Sequence, residues 1–158
     1  MKIFPAIDIK DKKCVRLVKG NFDDKTEYET SPINQAGKYK NHGFKNLHIV
    51  DLDGALTGKI VNIDIIQKIV GKYDLKVEVG GGIRTIDNIK KYINIGVDKV
   101  ILGSAAIRNK EFLKEACIKF KNKIALGLDA KKGNLSVFGW KEDLNIKTLD
   151  FLKDIKDY

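Results

Sequence analysis

The sequence predicts an α/β domain built on a parallel sheet, with strand–helix units repeating toward a barrel. Three observations carry that reading. Short apolar runs alternate with helical segments five times over, the pattern of parallel strands joined by helical crossovers. Two neighbouring strands end in small-residue turns: Val77-Glu78-Val79 runs into Gly80-Gly81-Gly82, and Val100-Ile101-Leu102 into Gly103-Ser104-Ala105-Ala106. Finally, Ala6-Ile7-Asp8-Ile9-Lys10 is echoed by Gly127-Leu128-Asp129-Ala130-Lys131. Each is followed by a lysine-containing turn and a short extended run, and a repeat after four units points to two similar halves.

Residues 3–9 read as the first strand, with Asp8 near its end. Residues 14–18 form a second extended run, and the two make a hairpin at the top of the strand. Residues 21–30 are polar and read as a loop. Ser31-Pro32 opens a helix, Ser as N-cap and Pro at the first helical position, running to about Asn41 and stopping at Gly43. Residues 46–50 are strand two. A loop over 55–61 leads to a helix over 63–72, where Ile65, Ile66, Ile69 and Val70 form an apolar stripe. Strand three is 77–79. Thr85 caps a helix to about Ile95, ended by Gly96. Strand four is 99–102, followed by a helix over 109–120. Strand five is 123–128, ending at Asp129, and 135–138 is another extended run. Residues 145–158 read as a helix, from Ile146, Leu149, Leu152 and Ile155 three apart.

The 158 residues are 43% hydrophobic, enough for one domain with a core. The net charge is +9. Removing Arg16, Arg84 and Arg108 from 30 Lys+Arg leaves 27 lysines, scattered without a block of like charge. Dispersed lysine fits a solvated surface or a positive field for an anionic substrate. A basic nucleic-acid module ranks last, because no recognition motif or aromatic–basic interleaving is present. Cys14 and Cys117 lack CxxC partners and read as small apolar residues in a reducing compartment. No signal-peptide pattern and no spanning apolar run appears, so a cytoplasmic location, without membrane contact, is expected. No His/Cys/carboxylate cluster has metal-ligand spacing and no dinucleotide fingerprint is present, so neither metal nor cofactor is expected.

Glycine lets a backbone approach an anion closely, and helix N-termini present unpaired N–H groups. Two such turns side by side would lie at the C-terminal edge of a parallel sheet, where α/β proteins bind ligands. A phosphate site is expected there; the plainer reading is a pair of tight turns.

At these residues a family resemblance emerges. Pro5-Ala6-Ile7-Asp8, Val15-Arg16-Leu17-Val18-Lys19-Gly20, His48-Ile49-Val50-Asp51-Leu52-Asp53-Gly54-Ala55 and 77–84 recur in order and approximate spacing. So do 102–106, Gly127-Leu128-Asp129 and Gly139-Trp140. Together they resemble the phosphoribosylformimino-aminoimidazole carboxamide ribotide isomerases of histidine biosynthesis, over the whole chain. The resemblance implies a TIM-barrel (βα)8 fold, truncated after the fifth strand–helix unit, since such barrels take about 250 residues. Residues 1–158 would be a single incomplete barrel domain, 1–122 resembling the first half-barrel and 123–158 the start of the second.

The implied reaction is an Amadori rearrangement, aminoaldose to aminoketose, on a bis-phosphorylated imidazole carboxamide ribotide. It needs an acid to open the sugar ring and a base to remove the C2 proton. The resemblance implies Asp8 as base and Asp129 as acid; the residues alone leave the order of roles open. It also implies that Gly81, Gly82, Gly103 and Ser104 bind a substrate phosphate. Arg16, His48, Arg84 and Trp140 are candidate substrate contacts. The alternatives are a catalytically impaired phosphate-binding fragment and the related imidazole glycerol phosphate synthase cyclase. Strands one and five are expected to be free edges that invite self-association. Ile7, Val50, Val79, Ile101 and Leu126 would face the barrel interior.

Overall fold

The computed structural model describes residues 1–18, 20–137 and 142–158, with no side chains described at 142 and 143. Strand β1 (Ala6–Lys10) turns through Asp11 and Lys12 into β2 (Lys13–Val18), which leads to β3 (Asn21–Glu27). Both turn residues take positive φ, 51° and 64°, the conformation that matches the twist of a two-residue hairpin. Helix α1 (Pro32–Asn41) follows, its Ser31 Oγ accepting from the Asn34 N–H at 3.2 Å. Strand β4 (Asn46–Asp51) runs into the short α2 (Leu52–Thr57) and then α3 (Ile63–Lys72). Next come β5 (Lys76–Gly80), α4 (Ile86–Asn94) capped by Thr85, and β6 (Lys99–Leu102). A short α5 (Ser104–Arg108) precedes α6 (Lys110–Lys119), whose cap Asn109 accepts from the Phe112 N–H at 3.0 Å. Strands β7 (Ile124–Leu126), β8 (Asp129–Lys131), β9 (Asn134–Val137) and β10 (Glu142–Lys147) precede α7 (Thr148–Asp154).

Strands β1 to β7 form one sheet in the order β3-β2-β1-β4-β5-β6-β7; β8, β9 and β10 form a second. From β1 through β4, β5 and β6 to β7 the pairing is parallel. Side chains alternate between faces. Ile7, Ile9, Leu47, Ile49, Val77, Val79, Val100 and Leu102 are buried in the core that also takes in Ile66 and Ile69 of α3 and Ile89 of α4. The other face carries Asp8, His48, Val50, Glu78 and Ile101, all half-buried.

Several expectations are corrected. Ile7 and Val79 lie in the helix-packed core, and Leu126 registers with Leu102 of that core; only Val50 and Ile101 of the expected set share the face of Asp8. The polar stretch 21–30 is largely strand: it pairs with β2 through Arg16↔Thr26 and Leu17↔Lys25, an edge strand polar on both sides. Strand one is therefore not a free edge, since β2 pairs with its Asp8–Lys10 half. Residues 55–57 close α2 and are not loop; Gly58, at φ 71°, ends it. The fifth parallel strand is only three residues long, and Asp129 belongs to the second sheet. Residues 145–147 are strand, and α7 buries Phe151, while Leu149 and Leu152 of the expected stripe are exposed. Among the described residues, no helix is long and apolar enough to cross a membrane.

Candidate active site

The parallel strands deliver their C-terminal ends to one edge. Asp8 reaches it from β1, with a side chain 14% exposed. Burial pushes its carboxyl above the usual carboxylate range, against the opposing pull of the Arg16 guanidinium and the charge of His48. Arg16 comes from β2, its Nη1 3.7 Å from Asp8 Oδ2, and it is 69% exposed. That separation is a loose ion pair, so Arg16 retains freedom to meet another anion. His48 lies one row deeper, in register with Ala6 and Glu78. Its Nδ1 stands 2.8 Å from Glu78 Oε1, which fixes the ring and leaves Nε2 for another partner. A cavity of about 310 Å³ lies along the flank of β1 and is lined by Asp8 and Arg16 together with Tyr28, Gln35 and Tyr39.

Asp129 occupies the same hairpin position as Asp8. Asp8 pairs with Val15 across the turn at Asp11 and Lys12; Asp129 pairs with Ser136 across the turn at Lys132 and Gly133, again with both φ values positive. The surroundings differ. Asp8 also sits in the parallel sheet, opposite Val50, whereas Asp129 is exposed in the second sheet. Asp8, Arg16 and His48 form one cluster, and among the described residues no ion pair or side-chain hydrogen bond joins Asp129 to it.

The glycines separate into two kinds. Gly81 and Gly82 have φ of 111° and 72°, and a Cβ on either would collide with the turn after β4, at Asp51 O and Gly54 O respectively. Their smallness is demanded by packing. Gly103 is different: a Cβ there would meet nothing nearer than Gly127 O, at 3.9 Å. It precedes half-buried Ser104 at the start of α5. Arg84 is exposed beside this edge, its guanidinium against Gly58 closely enough that a Cβ there would collide with it. No ion pair holds Arg84 among the described residues, so its charge is available to an anion. Trp140 lies outside the described residues.

Sequence reasoning missed four polar residues. Glu78 is seen only through strand register. Asp51, Asp53 and Asn62 form a network behind the glycine turns, and the only sequence signal was carboxylates closing a strand with Asn just before the next helix.

A parallel strand–helix sheet with a half-buried carboxylate, exposed Arg16 and Arg84 and small-residue turns at its C-terminal edge is the architecture of a (βα)-barrel protein, whose ligands bind at that edge. The family model described as "Histidine biosynthesis protein" matches residues 2–158, and the chain belongs to that family, whose fold is the TIM barrel. Among the described residues the barrel is not closed. The chain is similar to the 1-(5-phosphoribosyl)-5-((5-phosphoribosylamino)methylideneamino) imidazole-4-carboxamide isomerase of Pelagibacter ubique. Identity there is 77% over 158 residues, covering 100% of this chain and 66% of the relative. Isomerases of the same name from Desulfitobacterium hafniense and Thermodesulfovibrio yellowstonii are 45% and 44% identical. They are covered to 62% and 65% of their length, and this chain to 99% and 100%. The chain thus spans just under two thirds of these relatives.

Proposed function

We propose that this chain carries the base and one phosphate anchor of an aldose–ketose isomerase acting on a bis-phosphorylated imidazole carboxamide ribotide in histidine biosynthesis. The observation that supports it best is the half-buried Asp8, its carboxyl raised, on the sheet edge that also presents the open Gly103 turn. In the reaction an acid protonates the ribose ring oxygen, the ring opens, and a C1=N double bond forms. A base takes the C2 proton, the electrons move toward nitrogen to give the enaminol, and protonation at C1 with loss of the C2 hydroxyl proton gives the aminoketose. Asp8 is the base at C2 and Asp129 the acid. The Gly103–Ser104 turn holds one phosphate with Gly81 and Gly82. Arg16, Arg84, His48 and Trp140 contact the substrate. The matching Asp8 and Asp129 hairpins support two half-barrels, 1–122 and the one begun by 123–158.

A second reading is favoured for the 158-residue chain assayed alone. Asp129 lies in the second sheet, and the chain spans under two thirds of its relatives, so the chain alone should bind phosphorylated sugar yet turn substrate over slowly. Self-association goes with this reading. The free edge β3 is protected by Asp23, Asp24 and Lys25, but β7 offers the apolar Ile124, Ala125 and Leu126, all half-buried. Sedimentation of the isolated chain should show a concentration-dependent dimer; a monomer at all concentrations contradicts this.

Gly103→Ala tests the phosphate anchor. The structure has room for the added Cβ, so the fold should persist. The methyl group would keep an anion from the backbone, and affinity for ribose 5-phosphate should fall about tenfold or more, the worth of one lost charge-assisted hydrogen bond. Unchanged affinity by calorimetry, with unchanged circular dichroism, would move the anchor elsewhere.

A further inference from the structure

Asn62 is wholly buried just ahead of α3. Its Nδ2 donates to Asp51 Oδ1 at 2.7 Å and to Asp53 Oδ2 at 2.8 Å. An amide nitrogen has two hydrogens, and here each serves a different carboxylate. The Asp51 carboxylate, itself fully buried, also accepts from the backbone N–H groups of Gly54, Val61 and Asn62 at 2.9, 3.2 and 3.0 Å. It thereby fixes the turn between β4 and α2, the surface against which Gly81 and Gly82 are packed. The Asp53 carboxylate accepts from the backbone N–H of Asp11 at 2.8 Å, and Asp11 is the first turn residue of the β1–β2 hairpin. That hairpin carries Asp8 on one strand and Arg16 on the other.

We propose that Asn62 is a positioning residue: its one amide nitrogen ties the glycine turns to the Asp8–Arg16 hairpin, so that phosphate anchor and base keep a fixed relation. The functional meaning rests on the site reading above; the tie itself rests on the hydrogen bonds. Two buried or half-buried carboxylates converge on a single donor group, which no local turn requires. Removing the donor leaves both acceptors short of a partner and frees each turn from the other.

The test uses the full chain, labelled for NMR and free of ligand, with Asn62→Asp and Asp53→Ala. Asn62→Asp keeps the side-chain shape, removes both hydrogens and sets a third carboxylate against Asp51 and Asp53, whereas Asp53→Ala adds no charge. Amide exchange at Gly54 and Asp11 should rise together, each about tenfold or more. Exchange at Val79 in β5 should stay within about twofold of the parent. Asp53→Ala cuts only the hairpin side: Asp11 exchange should rise and Gly54 should not. Loosening the hairpin also admits water to Asp8. Its carboxyl titration, read by ¹³C shift, should move down toward the ordinary carboxylate range in both variants. The charges facing Asp8 are Arg16 from β2 and His48 from β4, and neither is altered.

The tie is overturned if Asp11 exchange and the Asp8 titration keep their parent values in Asp53→Ala. It is equally overturned if Val79 exchange rises in step with the two turns, which would indicate general loosening. If Asn62→Asp does not fold, Asp53→Ala alone decides. Ribose 5-phosphate added afterwards reports on the anchor separately: a failure to perturb Gly103 counts against the proposed function, not against the tie.

Discussion

Asp8→Asn is expected to lower isomerase turnover by about a hundredfold or more, the usual share of a positioned general base, with ribose 5-phosphate affinity nearly unchanged. The form to assay is the chain completed with the unmatched third of the Pelagibacter ubique relative. The same variant should gain stability. Burial raises the Asp8 carboxyl, so the folded state holds that proton to higher pH than the unfolded state does. Ionised Asp8 is therefore costly to fold. Wild-type stability should fall as pH rises from the ordinary carboxylate value through the raised one, then level off. Asparagine carries no such charge, and the Arg16 pair it forgoes is loose and exposed. Urea midpoints of the two proteins should diverge at neutral pH and converge below the ordinary carboxylate value. Turnover close to wild type would remove Asp8 from the role of base, and a stability gap independent of pH would contradict its raised carboxyl.

Gly82→Ala is expected to have the largest effect on stability. The residue needs φ of 72°, and its Cβ would overlap Gly54 O, which accepts from the Gly58 N–H at 2.8 Å in a residue whose own N–H the Asp51 carboxylate holds. Left-handed backbone costs an L-residue roughly 1–2 kcal/mol and forced overpacking roughly 1–3 kcal/mol more. A loss of about 2–5 kcal/mol is a large part of the 5–15 kcal/mol that holds a typical domain, roughly speaking. Gly43→Ala is the control. Its φ of 87° is equally left-handed, but nothing lies within 4 Å of the added Cβ, so only the backbone term applies. Equal denaturation midpoints for the two variants would show that the glycine turn is not clamped against the turn after β4.

Local signals made most of the fold legible. Ser31-Pro32, Thr85 and Asn109 each place a side-chain cap where the sequence put a helix start, and the apolar stripe of α3 is the face it buries. The hairpin echo was legible too, because a two-residue turn sets register from a few residues. What failed was non-local. Strand β3 is polar apart from the half-buried Phe22, since both its faces meet solvent, so no alternation marks it. Residues 145–158 show helical spacing, yet β9 pairs with the first of them, and Phe151, off the expected stripe, fills the core. Asp51 was quoted only as part of a motif, because its partners at Val61 and Asn62 are brought to it by folding. The same holds for His48, whose partner Glu78 is distant in sequence and adjacent only through strand register.

The central claim is that phosphorylated substrate binds the C-terminal edge of the parallel sheet. An amide-resolved NMR titration of the chain with ribose 5-phosphate tests it most directly. Saturable shifts are expected at Gly82, Gly103 and Ser104, with smaller ones at Arg16 and Arg84. Shifts confined to the opposite side of the sheet, in the groove lined by Ile33, Asp64, Gln67, Lys68 and Lys72, would contradict it.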